Sequence, residues 1–168
     1  LLTSRRLTLR GRLRVQMPLS FGRLVVLPEL PRFLAAYPEL AVDVDLSDRV
    51  VDLAEEGLDL AVRIGEIADS RVIAKRIYTI RFVTCASPAY LARRGVPRTP
   101  EDLAGHECLT YWVPQLGRHR DWHFGQHGVT FRSTPDGRLN VNNSEALVDA
   151  AIRGEGLCSV GTFLAADA

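Results

Sequence analysis

The chain has 168 residues, of which 46% are hydrophobic and 24% are charged, so it is long enough for one domain or two small lobes with a real core. The net charge of +1 gives no general electrostatic reason to expect binding to nucleic acid or to an anionic membrane. The three cysteines, Cys85, Cys108 and Cys158, lie far apart and form no CxxC motif, so we expect reduced, mostly structural thiols in a cytoplasmic protein, without a zinc site.

Arginines dominate the beginning of the chain, and no acidic residue precedes Glu29. This pattern is typical of a solvated linker or of a nucleic-acid-binding arm, and the linker is favoured because aromatic and motif support for nucleic-acid binding is missing. Charges stand where a signal peptide has its apolar centre, and no apolar run approaches the length of a membrane span. Secretion is therefore not expected.

The first half of the chain predicts alternating strands and helices. Residues 13–17 alternate as a strand that stops at Pro18, after which Ser20 can cap a helix. Helical spacing of apolar residues continues to Tyr37, although two internal prolines should kink or split this helix.

A second strand is predicted over residues 42–46, followed by a short helix that Ser47 or Asp48 caps and that runs through Glu55. Residues 60–64 then alternate as a third strand. The order strand, helix, strand, helix, strand, with short loops, predicts a parallel sheet covered by helices.

The second half begins with two extended runs, over residues 72–77 and 80–86. Ser87 and Thr99 each precede a proline, which is typical of a helix start. Between Glu107 and Val141, alternation and turn residues predict a strand-rich segment, with a hairpin turn at residues 125–128.

Near the end of the chain, Ser144 is the predicted cap of a helix that ends at Gly154. The stretch GLCSVG predicts a further short buried strand, and a helix start is predicted at Thr162.

The ends of the predicted strands are the candidate ligand site, because ligands of open parallel sheets collect at the carboxyl ends of the strands. Hydroxyls and backbone amides there could bind an anion, and Arg63 offers a fork for a carboxylate. Each hydroxyl taken singly is more simply explained as a helix cap. The candidate residues are Pro18, Ser20, Phe21, Ser47, Asp48, Arg63, Gly65 and Glu66 in the first lobe, and Asn142, Asn143, Thr162 and Phe163 in the second.

Catalytic and metal patterns are weak. His119, His123 and His127 recur every four residues, but the surrounding alternation and glycines favour a hairpin, on which the three imidazoles would not share a helical face. His106 and Cys108 stand two positions apart without an evident third group to orient them. We expect no catalytic residue, no metal ion and no cofactor.

Four stretches closely resemble the effector-binding domain of LysR-type transcriptional regulators: LPRFLAAYPEL, DLSDRVVDLAEEGLDLAVRIGE, ASPAYLARRG with TPEDLAGHECL, and NNSEALVDAAIRGEGLCSV. The resemblance covers nearly the whole chain. It implies a type II periplasmic-binding-protein-like α/β fold, with two lobes around a cleft, that is truncated at the carboxyl terminus. The implied segments are the end of a linker (1–11), lobe I (12–84), lobe II (85–160) and the start of the return to lobe I (161–168).

The resemblance also implies a function. A small organic effector, an anion or an aromatic metabolite, would bind in the cleft, contact the candidate residues named above and modulate transcription through a winged helix-turn-helix outside this chain. Members commonly form dimers and tetramers in the cytoplasm, and they are not enzymes. Many relatives have a proline where this chain has Gly161-Thr162. Tyr111 and Trp112 are equally plausible as cleft aromatics or as core residues.

Two other functions compete with this one. A solute-binding protein of a transport system could have the same fold, but it would need a signal peptide. A small enzyme could use His106, Cys108 or the later histidines, but it would need a paired acid and base, which the sequence does not offer.

Overall fold

A computed structural model describes residues 9–65, 72–126 and 129–165 of the chain. The chain divides into two compact units, Leu1–Lys75 and Arg76–Ala168. The sequence-based boundary between residues 84 and 85 falls inside a strand, Phe82–Cys85, that belongs to the second unit. Two residues named above, Glu66 and His127, lie outside the described residues.

The first unit contains a three-stranded parallel sheet, as the sequence predicts. Strand β1 (Gly11–Met17) pairs on one side with β2 (Leu40–Leu46) and on the other with β3 (Leu60–Ala61). The third strand is shorter than predicted, although the amide of Val62 still donates to the carbonyl of Gln16 at 2.8 Å.

The helix after β1 is interrupted, as its prolines predict. Helix α1 (Leu19–Phe21) continues as a π-helical stretch, Gly22–Val26, and α2 (Leu30–Ala36) begins after a turn. The prediction that Ser20 caps this helix is wrong. Pro18 is the cap residue, its carbonyl accepts from the amide of Gly22 at 2.7 Å, and the Ser20 side chain lies buried inside the first turn.

The predicted helix from Ser47 or Asp48 through Glu55 is also wrong, because a series of turns takes its place. The Asp52 carboxylate accepts from the amide of Ala54 at 2.9 Å, so a local side-chain contact satisfies a backbone amide inside the predicted helix. Gly57 reverses the chain into β3 with a positive φ of 63°, in the left-handed region that favours glycine.

A mixed sheet forms the second unit, with β10 (Leu157–Gly161) inside it. This strand pairs antiparallel with β4 (Phe82–Cys85) and parallel with β5 (Cys108–Val113). Strand β5 also pairs with the short strands β6 (Arg118–His119) and β9 (Leu139–Val141). Of the two extended runs predicted at the start of this half, only the second contains a strand among the described residues.

The hairpin predicted around residues 125–128 is confirmed, because β7 (Trp122–Gln126) pairs antiparallel with β8 (Val129–Ser133). The two helix starts predicted at a serine or threonine followed by proline are also confirmed. Ser87 caps α3 (Pro88–Arg94) by accepting from the amide of Tyr90 at 3.3 Å, and Thr99 precedes a 3-10 helix.

Helix α4 (Ser144–Ile152) ends before Gly154, as predicted, but its cap is Asn143 rather than Ser144. The Asn143 Oδ1 atom accepts from the amide of Ala146 at 2.8 Å. The predicted last strand and helix start are also present, as β10 and α5 (Thr162–Ala165).

The larger core cluster lies in the second unit, where α4 covers β5 and β10. Leu147 is 1% exposed, and Cys158 and Val160 on β10 are fully enclosed. A second cluster gathers Tyr90 of α3 and Trp122 of β7 around the beginning of β5.

The cap assignment can be tested by replacing Asn143 and its neighbour. Asn143→Ala should lower the free energy of unfolding by about 1 kcal/mol, because a helix amide loses its acceptor. Ser144→Ala, which leaves that contact intact, should change it by less than about 0.5 kcal/mol. Urea denaturation followed by circular dichroism measures both, and a larger loss in Ser144→Ala would contradict the assignment.

Candidate ligand site at the strand ends

The register of the first sheet places three residues in one row. Gln16 of β1 stands opposite Asp45 of β2 and Ala61 of β3, and laterally paired residues in a parallel sheet point to the same face. The Gln16 Nε2 atom donates to the Asp45 carboxylate at 2.7 Å, and Gln16 is only 3% exposed. The row therefore holds a buried amide next to a carboxylate.

Side chains two positions apart in an extended segment point to the same face. Two positions after Gln16, Asp45 and Ala61, just beyond the paired strands, stand Pro18, Ser47 and Arg63. Strand pairing reaches this level, because the amide of Ser47 donates to the carbonyl of Met17 at 2.9 Å. Three residues that the sequence predicts as ligand contacts thus follow the carboxyl ends of three neighbouring strands, and Arg63 interacts electrostatically with Asp45 of β2.

Arg63 is the electrostatic feature of this edge. Its side chain is half-buried, and its Nη2 atom is enclosed without a hydrogen-bond acceptor among the described residues. Burial lowers the pKa of the guanidinium, and the Asp45 carboxylate opposes this shift. An arginine side chain remains protonated in proteins. The edge therefore contains a cation with one N–H donor group that no acceptor of the described residues satisfies.

The Oε1 atom of Gln16 is likewise buried without a donor among the described residues. A buried polar atom without a partner is costly, so each such atom needs an explanation in the structure. Within the described ranges, the edge has one donor and one acceptor without a partner, which suits a ligand that carries both an anionic group and a hydroxyl or amine. The sequence analysis did not predict Gln16 as a site residue. A polar residue one position before the end of a buried strand was the feature that could have indicated it.

The other candidates of the first unit differ in their availability. Ser20 and Phe21 are 6% and 8% exposed, and the Ser47 hydroxyl accepts from the amide of Arg49 at 3.2 Å. Asp48 is exposed, and Gly65 is exposed with a positive φ of 114°. The strand-end edge therefore combines buried and solvent-facing candidates.

In the second unit, the candidates also follow parallel strands. Asn142 directly follows Val141, which pairs with Tyr111, while Thr162 and Phe163 follow β10. Both strands are parallel to β5, so their carboxyl ends lie at one edge of the sheet. Asn142 and Thr162 are exposed, whereas the Oδ1 atom of Asn143 caps α4.

Phe163 explains why glycine suits position 161. A Cβ atom built on Gly161 would lie 2.6 Å from the Phe163 ring, so the ring covers the backbone at the end of β10.

The two aromatic residues at the end of β5 have different roles. Tyr111 is 5% exposed and belongs to the core, and the guanidinium carbon of Arg120 lies 3.8 Å from its ring centroid. Trp112 is half-buried and contacts the His119 ring edge to face at 5.5 Å between centroids. Tyr111 is therefore a core residue.

His106 has a structural partner. The Tyr90 hydroxyl lies 3.1 Å from Nδ1 of His106 and accepts from the amide of Glu107 at 2.8 Å. Within the part of the chain that the structure describes, no three His, Cys, Asp or Glu side chains form a group that could bind a metal ion. An open surface depression of about 480 Å³ lies beside α3, but mixed charges line it and the strand-end residues do not.

None of the helices in the described ranges has the length and apolar character needed to cross a bilayer.

A three-stranded parallel sheet with polar residues just beyond its strand ends is an α/β arrangement in which ligands commonly bind at the carboxyl ends of the strands. The family model for the LysR substrate binding domain matches residues 7–168, and the chain belongs to that family. The resemblance seen in the sequence is thereby confirmed.

Relatives and solved structures agree with this assignment. The chain is 34% identical over 157 residues to an HTH-type transcriptional regulator of Haemophilus influenzae, covering 94% of this chain and 54% of the relative. It is 34% identical over 153 residues to the HTH-type transcriptional regulator DmlR of Escherichia coli, covering 88% and 48%. The regulatory domain of CrgA from Neisseria meningitidis is 27% identical with a TM-score of 0.78, covering 95% of this chain and 76% of that one. The chain spans about half the length of the curated relatives it matches.

Gly22 directly follows α1 and packs against the side chains of Met17 and Leu46 at the ends of β1 and β2, and its replacement tests this packing. A Cβ atom there would lie 2.5 Å from Leu46 and 2.6 Å from Met17, so Gly22→Ala should cost about 1–3 kcal/mol of stability through overpacking. Gly105→Ala is the control, because its Cβ would meet no atom within 4 Å. Urea midpoints of both variants measure the effect, and equal midpoints would contradict the close packing.

Proposed function

We propose that this chain is the effector-sensing part of a LysR-type transcriptional regulator and that its effector is a small organic carboxylate bound by Arg63. The proposal rests above all on the enclosed Arg63 Nη2 atom, which has no acceptor among the described residues. A carboxylate supplies two acceptor oxygens that match the guanidinium fork.

The neighbouring groups narrow the chemistry of the effector. The Asp45 carboxylate accepts from Gln16 Nε2, and Gln16 Oε1 is buried without a donor among the described residues, so it has acceptor capacity to spare. A hydroxy acid or amino acid would satisfy both Arg63 and Gln16. Pro18, Ser47, Asp48 and Gly65, together with Ser20 and Phe21, would shape the rest of this edge. Asn142, Asn143, Thr162 and Phe163 are the proposed contacts in the second unit, and Glu66 is proposed on the sequence alone.

The effector would act by binding two conformations of the domain with unequal affinity, because a ligand shifts an equilibrium only by its differential affinity. In the whole protein, a helix-turn-helix segment outside this chain would read DNA, and homodimers or tetramers would couple the two functions in the cytoplasm. The relatives are named as transcriptional regulators, which supports this function over catalysis and does not favour solute capture for transport.

The role of Arg63 can be tested with a panel of small hydroxy, amino, dicarboxylic and aromatic acids, each paired with its uncharged amide. Thermal shift identifies binders, and calorimetry measures their affinity. Arg63→Gln should weaken the best acid by about 10- to 100-fold, because a buried charge-assisted contact is lost. The amide of that acid should bind equally weakly to both proteins.

Arg12→Gln is the matched control, because Arg12 also lies on a strand of this sheet and pairs with Asp43 at the surface. It removes the same charge and should leave the affinity within about twofold, since surface pairs contribute little. Equal affinity of wild type and Arg63→Gln for the acid would contradict the proposal, as would tighter binding of the amide.

A further inference from the structure

Two cysteines that are 73 residues apart in sequence lie face to face in the second unit. In the antiparallel pair of β4 and β10, Cys85 is the register partner of Cys158, and their sulfur atoms are 3.6 Å apart. Paired residues in antiparallel strands have Cα separations of about 4.5–5.5 Å, which fall within the range that a disulfide bond requires. Both thiols are free in the structure.

The two thiols are chemically unequal. Cys158 is fully enclosed, whereas Cys85 is partly exposed. A hydrogen bond from Cys158 lowers the pKa of the Cys85 thiol to about 7, although burial opposes this shift. The same contact, together with burial, raises the pKa of Cys158. The solvent-accessible sulfur is thus the one that carries the thiolate, and the enclosed sulfur keeps its proton.

The third cysteine neither faces another thiol nor has a lowered pKa. Cys108 is buried, burial raises its pKa to about 11, and its sulfur lies 3.9 Å from the carbonyl oxygen of Leu103. Cys108 therefore serves as an internal reference for a structural thiol.

We propose that Cys85 and Cys158 form a redox-modifiable pair, in which Cys85 reacts with hydroperoxides and Cys158 resolves the product into an intrachain disulfide. The proposal is independent of the effector, because it concerns other residues and another reaction.

The reaction proceeds in two steps, formation of a sulfenic acid on Cys85 and then of the disulfide. The Cys85 thiolate attacks one oxygen of the hydroperoxide, an S–O bond forms while the O–O bond breaks, and water or an alcohol leaves with a proton from solvent. The Cys158 sulfur then attacks the sulfenic acid of Cys85. An S–S bond forms, the S–O bond breaks, and the leaving hydroxide departs as water with the Cys158 proton. The two thiols lose two electrons and the peroxide gains them.

Little movement is required for the second step. The sulfurs must approach from 3.6 Å to a bond length of about 2.05 Å, within two strands that the ladder already aligns. The bond would fix β10 to β4 three residues before Gly161, and hence close to Thr162 and Phe163. Thr162 is already tied to the residue before β4, because its amide donates to the carbonyl of Arg81 at 2.9 Å.

The test treats the full 168-residue chain with hydrogen peroxide, then counts thiols by alkylation under denaturing conditions and maps disulfides by mass spectrometry. The number of alkylated cysteines should fall from three to one, with a Cys85–Cys158 link in the peptide map that dithiothreitol reverses. Persistence of all three thiols would overturn the proposal, and so would a link that contains Cys108 or joins two chains.

Variants separate the two roles. Cys85→Ser should keep both remaining thiols, whereas Cys158→Ala should accumulate a sulfenic acid on Cys85 that a cyclic 1,3-dione traps. Cys108→Ala should lose two thiols, as the wild type does. Equal peroxide sensitivity of Cys85→Ser and wild type would contradict the role of Cys85, and the wild-type peptide map decides the matter even where a variant folds poorly.

The pH dependence of the reaction gives an independent readout. A pKa near 7 means that the thiolate fraction of Cys85 rises through neutral pH and saturates above it. The rate of thiol loss should therefore level off by about pH 8 in the folded chain, whereas in urea it should keep rising through the ordinary thiol pKa of about 8.5. Stopped-flow measurement with hydrogen peroxide tests this, and identical profiles for folded and unfolded chains would contradict the proposed activation.

Discussion

Parallel strand pairing places the candidate ligand site of the first unit. Parallel neighbours cannot be joined by a tight turn, so every connection between β1, β2 and β3 must cross the sheet, and all three strands end at the same edge. The register then fixes which side chains share a face. One face receives Met17 and Leu46, which pack under Gly22, and the other receives Gln16, Asp45 and Arg63.

The same constraint has an electrostatic consequence. Arg63 is partly removed from solvent at the strand end, and Asp45, which compensates its charge, is already engaged with Gln16. A folded domain normally pairs its buried polar atoms. A donor on Arg63 and an acceptor on Gln16 that have no partner among the described residues are therefore a cost that ligand binding can offset. Membership of the LysR substrate-binding family and an unused guanidinium donor therefore support the same kind of site by separate arguments.

In the second unit, strand pairing has a different chemical outcome. Strand β10 has a parallel partner on one side and an antiparallel partner on the other, and the antiparallel register brings Cys158 to Cys85. The hydrogen bond between the two thiols lowers the pKa of Cys85, whereas the same hydrogen bond and burial raise the pKa of Cys158. Thiols that look unrelated in the sequence thereby become neighbours with distinct reactivities.

Local patterns were sufficient for the strands β1, β2 and β10, the split helix after Pro18, the hairpin and the strand-end position of Arg63, because alternation, proline and glycine act on the residues around them. Several features were decided only by tertiary structure. Asn143 rather than Ser144 caps α4, and a turn around Asp52 replaces a helix, since competing local contacts differ by little energy and packing selects among them. Strand register decides that Gln16 is buried and that Cys85 meets Cys158. It also contributes to leaving atoms of Gln16 and Arg63 without partners among the described residues. Register joins residues that are distant in sequence, and no local pattern specifies which of them will meet.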